Sequence, residues 1–148
     1  QIQDNNGNPA VSVTVPQVVT VTNDEVRPTI SSVTGVDGTY TAGDSVSITV
    51  AFSEAVVVTG APTLELETGA TDAKATYTSG SGTDSWIFTY LVGSGEAATD
   101  LNYTGTDAIG IVDENATIKD PAGNLAIITL PALDNSGALA ETSEIVIA

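Results

Sequence analysis

The chain is expected to fold as an all-β sandwich, and three observations lead there. The apolar fraction, 41%, is made largely of Val, Ile, Ala and Leu, with abundant Thr, 14 Gly and no Met; β-branched residues punctuated by Gly suit strands joined by turns. Apolar and polar residues alternate with a period of two in several short runs, most cleanly in Val46, Ile48, Val50 and Phe52 against Ser45, Ser47, Thr49 and Ala51. Turn-forming clusters recur at the short, roughly 8–12-residue spacing of antiparallel sandwiches, and no segment holds a helical period.

The organising stretch is Ile118-Lys119-Asp120-Pro121-Ala122-Gly123-Asn124-Leu125-Ala126. A near copy, Ile2-Gln3-Asp4-Asn5-Asn6-Gly7-Asn8-Pro9-Ala10, stands 116 residues earlier. Apolar runs ending in Pro16 and Pro131 follow the two copies, and one residue must be skipped to align the prolines. A fixed period is the mark of an array. Residues 1–24 therefore read as the closing strands of a preceding unit, or as a donor-strand extension, and residues 25–148 as one complete unit.

In order, residues 4–8 form a polar turn, Val11, Val13 and Val15 mark a strand ended by Pro16, and residues 18–22 a second short strand. Asn23-Asp24-Glu25-Val26-Arg27-Pro28 is a stiff linker, since Pro28 favours an extended path. Residues 30–36 are the first strand of the main unit and residues 37–44 a turn-rich connection. The alternating strand 45–52 is followed by Ser53-Glu54-Ala55, an apolar run at 56–58 and a turn at 60–62. Leu64 and Leu66 alternate with Glu65 and Glu67, a strand with one wet face. Residues 73–78 form a strand with Ala75 and Tyr77 inward, and residues 80–84 a loop.

Trp86, Phe88 and Tyr90 alternate with Ile87, Thr89 and Leu91. An aromatic face backed by a largely apolar one predicts a central strand, with Trp86 as core anchor. Beyond a loop at 93–99, short strands are expected at 100–103 and 108–112. Asp113-Glu114-Asn115 leads into Thr117 and Ile118. A strand at 125–130, a loop at 134–140 and a closing strand at 144–147 complete the unit.

Nineteen acidic residues face three basic ones, Arg27, Lys74 and Lys119, for a net charge of −16. That balance argues against nucleic acid and anionic lipid as partners, because both need a basic footprint. It favours bound cations or a salty medium. No apolar stretch is long enough for membrane insertion. Without Cys there are no disulfides, and without His the commonest general base and zinc ligand are missing. A chain that starts at Gln1 and contains no Met reads as an excised or processed piece, and no signal peptide is visible.

The stretch from Thr41 to Val56, with Phe52-Ser53-Glu54 at its end, resembles the bacterial immunoglobulin-like repeats whose signature is a strand ending in Phe-Ser-Glu. Val58-Thr59-Gly60-Ala61-Pro62-Thr63-Leu64-Glu65-Leu66, Ala75-Thr76-Tyr77-Thr78, Thr99-Asp100-Leu101-Asn102-Tyr103 and Ile118-Lys119-Asp120-Pro121-Ala122-Gly123-Asn124 continue the pattern. The resemblance spans roughly residues 28–148. It implies an immunoglobulin-like antiparallel β-sandwich, repeated in tandem in large bacterial adhesins, biofilm proteins and S-layer-like proteins at the cell surface, often stiffened by calcium.

Calcium is the only cofactor the residues suggest; it needs six to eight oxygen ligands. Asn23, Asp24 and Glu25 resemble the cadherin linker pattern, in which Asp and Asn before a proline bind calcium between domains. Glu54, Asp120 and Asn124 are further candidate ligands. Against this, Asp and Asn near Gly are ordinary turn residues that bond to nearby backbone.

No enzyme activity is expected. Glu65 and Glu67 share one strand face, but alternating Glu on a strand is the pattern of a wet face, and no His is present to activate a Ser. Lys74 or Lys119 would form an isopeptide bond only if buried. Asn102-Tyr103-Thr104 and Asn115-Ala116-Thr117 fit the N-glycosylation pattern. Tyr40 and Tyr103 are the loose aromatics that a carbohydrate-binding face would use.

Two functions remain open at this level. One is a spacer in an extracellular array of covalently linked copies, with calcium at the junctions. The other is a filament subunit whose segments 10–15 and 18–22 add strands to the next molecule.

Overall fold

The computed structural model describes residues 26–111 and 116–148; the expectations for the N-terminal extension lie outside them. The described residues are all-β and mostly antiparallel, with a curled sheet. Its strands are β1 (Ile30–Gly35), β2 (Gly38–Tyr40), β3 (Ser45–Thr59), β4 (Pro62–Leu66), β5 (Ala73–Ser79), β6 (Thr83–Leu91), β7 (Ile109–Ile111), β8 (Thr117–Lys119) and β9 (Ile145–Ile147). The main sheet runs β1-β3-β6-β5-β4-β7, with β8 also on β3; β2 and β9 form a separate parallel pair.

β3 is the backbone of this arrangement. Its Val46, Ile48, Val50, Phe52 and Val56 are buried. Its pairing with β6 slips between Ala51 and Val56. Such an irregularity bends a strand and adds twist. β3 thus starts between β1 and β6 and ends paired to β8 through residues 57–59. The sequence reading split this stretch into a strand, a Ser-Glu-Ala break and an apolar run. It is one strand of 15 residues: polar Ser53 and Glu54 fall on the irregularity in the β6 pairing, while Ser53 N still donates to Thr29 O on the other side.

β6 is central, as expected, lying between β3 and β5. Trp86, Phe88 and Tyr90 are fully buried. The Trp86 ring sits 4.6 Å from Phe52 and 5.5 Å from Tyr77 by centroids, and its indole N–H donates to Val56 O at 3.3 Å. The opposite face is not buried throughout: Ile87 is half-buried and Leu91 is exposed. On β4, Pro62, Leu64 and Leu66 point inward, while Glu65 accepts a hydrogen bond from Thr104 Oγ1 at 2.9 Å, consistent with a wet face.

Four local expectations are corrected. Residues 38–40, read as part of a connection, form β2, whose partner β9 lies more than a hundred residues away and leaves no local signal. Residues 125–130 are not a strand; Leu125 and Ile127 make only single bridges, to Lys119 and Thr29, although Ala126 and Leu130 still turn inward. In residues 100–103, only Tyr103 makes a bridge, to Leu66. The loop 134–140 runs into a short helix, α1 (Leu139–Thr142). Gly137 O accepts from Val33 N at 2.8 Å and Thr142 Oγ1 donates to Val33 O at 2.6 Å, which covers the β1 edge.

Tyr103 is also corrected from a loose surface aromatic to a core residue. It is buried and its hydroxyl donates to Pro131 O. Tyr40 is half-buried and donates to Val36 O at 2.8 Å. Lys74 and Lys119 are both exposed, so neither meets the burial that an isopeptide bond requires.

Burial pushes the Tyr103 hydroxyl up to about 12, and burial with the Glu96 carboxylate beside it pushes Tyr90 up further. Both native phenols hold protons that the unfolded chain releases near its ordinary value of about 10. Stability is therefore full below that pH and falls as pH rises through the folded values. Alkaline denaturation followed by circular dichroism is expected to show this loss, and Tyr103→Phe should reduce its steepness.

The register places the two ends of the described unit apart. β1 begins at Ile30 opposite Phe52, and Ser53 N donates to Thr29 O at 2.7 Å. Ala148 N donates to Tyr40 O at 2.9 Å, and Tyr40 leads through a turn to Ser45, the other end of that part of β3. At about 3.3 Å per strand residue, the two ends are separated by roughly 23 Å. The Pro28 end is called proximal below and the Ala148 end distal.

Candidate metal centre at the proximal end

The proximal end is built where three segments meet. Ile127 N donates to Pro28 O at 2.8 Å, Thr29 N to Ser53 Oγ at 2.9 Å, and Arg27 Nε to Leu125 O at 2.7 Å. The segment leading into β1 is thereby clamped between β3 and the 125–127 stretch. Glu54 follows Ser53 on β3, and Asp120 and Asn124 form the turn just before Leu125. Three of the six candidate ligands thus belong to segments that meet at one end. The other three, Asn23, Asp24 and Glu25, lie outside the described residues and immediately precede Val26.

The Asp120 turn is internally braced. Asp120 is buried. Its Oδ1 accepts from Asn124 N at 2.8 Å and its Oδ2 from Asn124 Nδ2 at 2.9 Å. Asp120 N donates to Asn124 O and Gly123 N to Asp120 O, each at 3.0 Å. Gly123 holds φ at +98°, a conformation that side chains with a Cβ rarely adopt. The Asn124 side-chain hydrogen bond, helped by backbone N–H groups of the turn, holds the Asp120 carboxyl below the ordinary carboxylate range against the opposing effect of desolvation. The first task of Asp120 and Asn124 is therefore to close their own turn.

Among the described residues, no three acidic side chains converge as a ready metal cage. A cation at this end would draw on Glu54 and the Asp120 turn, and would require oxygens from residues 23–25 to complete its shell. Reasoning from sequence missed the clamp itself. Ser53, Arg27 and the main-chain oxygens of Pro28 and Leu125 carry it, and main-chain acceptors have no residue-type signal.

The turn yields a direct test. Asp120→Ala removes the acceptor of two hydrogen bonds and should lower the melting temperature by several degrees. The depressed acidity of Asp120 implies stability that is present above the ordinary carboxylate pKa and lost as pH falls through the folded value. Wild type should lose more stability on acidification than Asn124→Ala, measured by thermal melts across the acid range.

In comparisons with protein-family models, with curated proteins and with solved structures, nothing matches the chain.

Proposed function

We propose that this protein is an extracellular structural module, a spacer of immunoglobulin-like β-sandwich type from a bacterial surface adhesin, with calcium stiffening the junction between neighbouring copies. The carrying observation is that Pro28 and Ala148 lie at opposite ends of the unit. Copies joined through such ends extend in line, and a stack of units that each touch only their neighbours gains reach in proportion to copy number. The curled sheet, with inward alternation on β3, β4 and β6, supports the sandwich class.

The proximal clamp supports placing the cation at the junction. It brings the segments of Glu54, Asp120 and Asn124 to the point where the linker residues Asn23, Asp24 and Glu25 arrive in sequence. Donor-strand assembly is the less favoured function, because this unit's own Thr117–Lys119 strand and the turn after it already occupy the place on β3 that a copy of residues 2–10 would take.

The test is a thermal melt of the purified chain with calcium and with chelator, alongside its mass by light scattering at micromolar concentration. A monomer in both conditions is expected, with calcium raising the melting temperature by roughly 5–10 °C at saturating concentration. An unchanged melting temperature would remove calcium from the proposal. Filaments at micromolar concentration would replace the spacer by the donor-strand subunit.

A further inference from the structure

The last strand of the chain pairs unlike the others. Among the described strands every other pair is antiparallel. β2 and β9 run parallel, with Gly38 opposite Ile145, Thr39 opposite Val146 and Tyr40 opposite Ile147. The parallel course begins before β2. Gly35 N donates to Ser143 Oγ at 2.8 Å, and the same hydroxyl donates back to Gly35 O at 3.1 Å. Glu144 N donates to Asp37 Oδ1 at 2.8 Å, Gly38 N to Glu144 O at 3.0 Å, and Ala148 N to Tyr40 O at 2.9 Å. Residues 35–40 therefore run side by side with residues 143–148, in the same direction, as one seam.

The seam is also packed. Ile145 and Ile147 are buried, as is Ser143. The Ile145 Cδ1 methyl lies 2.5 Å from the place a Cβ on Gly35 would occupy, so its tip sits directly on the Gly35 backbone. Neither terminal strand is a free edge. β1 lies between β3 and the 137–143 segment, where Gly137 O, Thr142 Oγ1 and Ser143 Oγ bond to Val33 and Gly35. β9 lies between β2 and residues 98–101: Ala98 N donates to Ile147 O at 3.0 Å, Ile147 N to Ala98 O at 2.8 Å, and Leu101 N to Ile145 O at 2.8 Å.

The direction of the two stretches decides how they meet tension. A pull on the preceding chain reaches β1 through Pro28 and drags residues 30–40 lengthwise toward the proximal end. A pull on the following chain acts through Ala148 and drags residues 143–148 lengthwise toward the distal end. The two stretches are thus forced past each other along their common axis, and the rungs between them share the force and must fail together. Pulling the same stretches apart from one end would open the rungs in turn, each meeting the whole force alone. A single hydrogen bond has a modest net value, so the difference lies in how many break at once.

We infer that the parallel seam between residues 35–40 and 143–148 is a mechanical clamp, which sets the force at which the unit opens when it is pulled through its own two ends. The inference rests on the spacer function and adds to it that the spacer transmits tension. Units in a tandem array are linked in series, so each would meet the same force through these ends.

Single-molecule force measurement on the full chain tests the clamp, because forced unfolding reports the unfolding barrier rather than equilibrium stability. The chain has no Cys, so Ala42→Cys, at an exposed position in the turn after β2, supplies a unique handle at the distal end. Pulled between its two termini, the chain should open at a severalfold higher force than when pulled between the position-42 thiol and the C-terminus, at equal loading rate. Ser143→Ala removes both Gly35 rungs. It should lower the end-to-end force and leave the force from position 42 unchanged, since that opening starts at Tyr40 and Ala148 and reaches Gly35 last. A lower melting temperature in Ser143→Ala would accompany any structural role; the dependence on direction belongs to the clamp alone. Equal forces along the two directions, or a Ser143→Ala loss that is equal in both or absent from both, would overturn the clamp. Should Ser143→Ala not fold, the contrast between the two directions in the otherwise native chain decides alone. The spacer function would survive equal forces, since reach needs no resistance to tension, and would fail instead on strand-exchanged filaments at micromolar concentration.

Discussion

Trp86→Ala is expected to destabilise the protein by about 3–5 kcal/mol, the range for emptying the site of a large buried aromatic. The side chain is fully buried and packs against Phe52 and Tyr77. Its loss opens a cavity between β3, β5 and β6, the three central strands of the sheet. It also leaves Val56 O without its indole donor, at the place where β3 changes partners. A domain of this size has a total stability of about 5–15 kcal/mol, so the variant should melt far below wild type or fail to fold. Leu91→Ala is the control on the same strand. Leu91 is exposed, and its truncation should change stability by no more than about 0.5 kcal/mol. Urea denaturation of both variants measures the contrast; equal effects would mean that β6 does not sit as described.

Gly80→Ala should be nearly as damaging, for a reason of backbone rather than volume. Gly80 holds φ at +117°, and a Cβ there would stand 2.3 Å from Ser85 O and 2.7 Å from Trp86 Cα. Both are main-chain atoms, so no side chain can swing aside. The residue also closes the β5–β6 turn, its carbonyl accepting from Thr83 N at 2.9 Å and from Thr83 Oγ1 at 2.7 Å. A left-handed conformation alone costs a residue with a Cβ about 1–2 kcal/mol. The displaced strand adds to that, so a loss above about 2 kcal/mol is expected. Gly82→Ala separates the two contributions. Gly82 also has positive φ, at +90°, but open space where the Cβ would stand, so only the conformational cost applies. Thermal melts of the two alanine variants should differ by several degrees, with Gly80→Ala the lower.

These two positions also mark how far the sequence could be read. Trp86 was legible as the core anchor because alternation at a period of two names the inward face of a strand without knowledge of its partner. The same logic identified the inward faces of β3, β4 and β6. Gly80 was legible only as a loop residue. Its indispensability comes from Ser85 and Trp86 approaching across the turn, a distance that exists only once the hairpin has formed.

The candidate centre divides in the same way. Asp120, Gly123 and Asn124 announced a turn through their chemistry and through their repetition as Asp4, Gly7 and Asn8. Their meeting with Pro28 and Ser53 at the proximal end did not show, because it depends on main-chain hydrogen bonds between residues far apart in sequence. Residues 125–130 had the alternation of a strand, yet Leu125 and Ile127 make only single bridges. Alternation reports which side chains are buried, and it says nothing of whether a neighbouring edge is available to pair with.

By itself, then, the sequence determined the all-β class, the buried side chains of the central strands, the acidic character of the chain and the turn at residues 120–124, whose sequence motif occurs twice. Each follows from residue type and local spacing. Tertiary structure alone decided that β3 is one long strand shared by β1, β6 and β8. It likewise decided that residues 38–40 pair with residues 145–147, that Tyr103 is core, and that the segments of Ser53, Pro28 and Leu125 meet at one end. The physical reason is common to all four. They depend on contacts between residues distant in the chain, and the backbone groups and surface positions that form those contacts look alike until the fold brings them together.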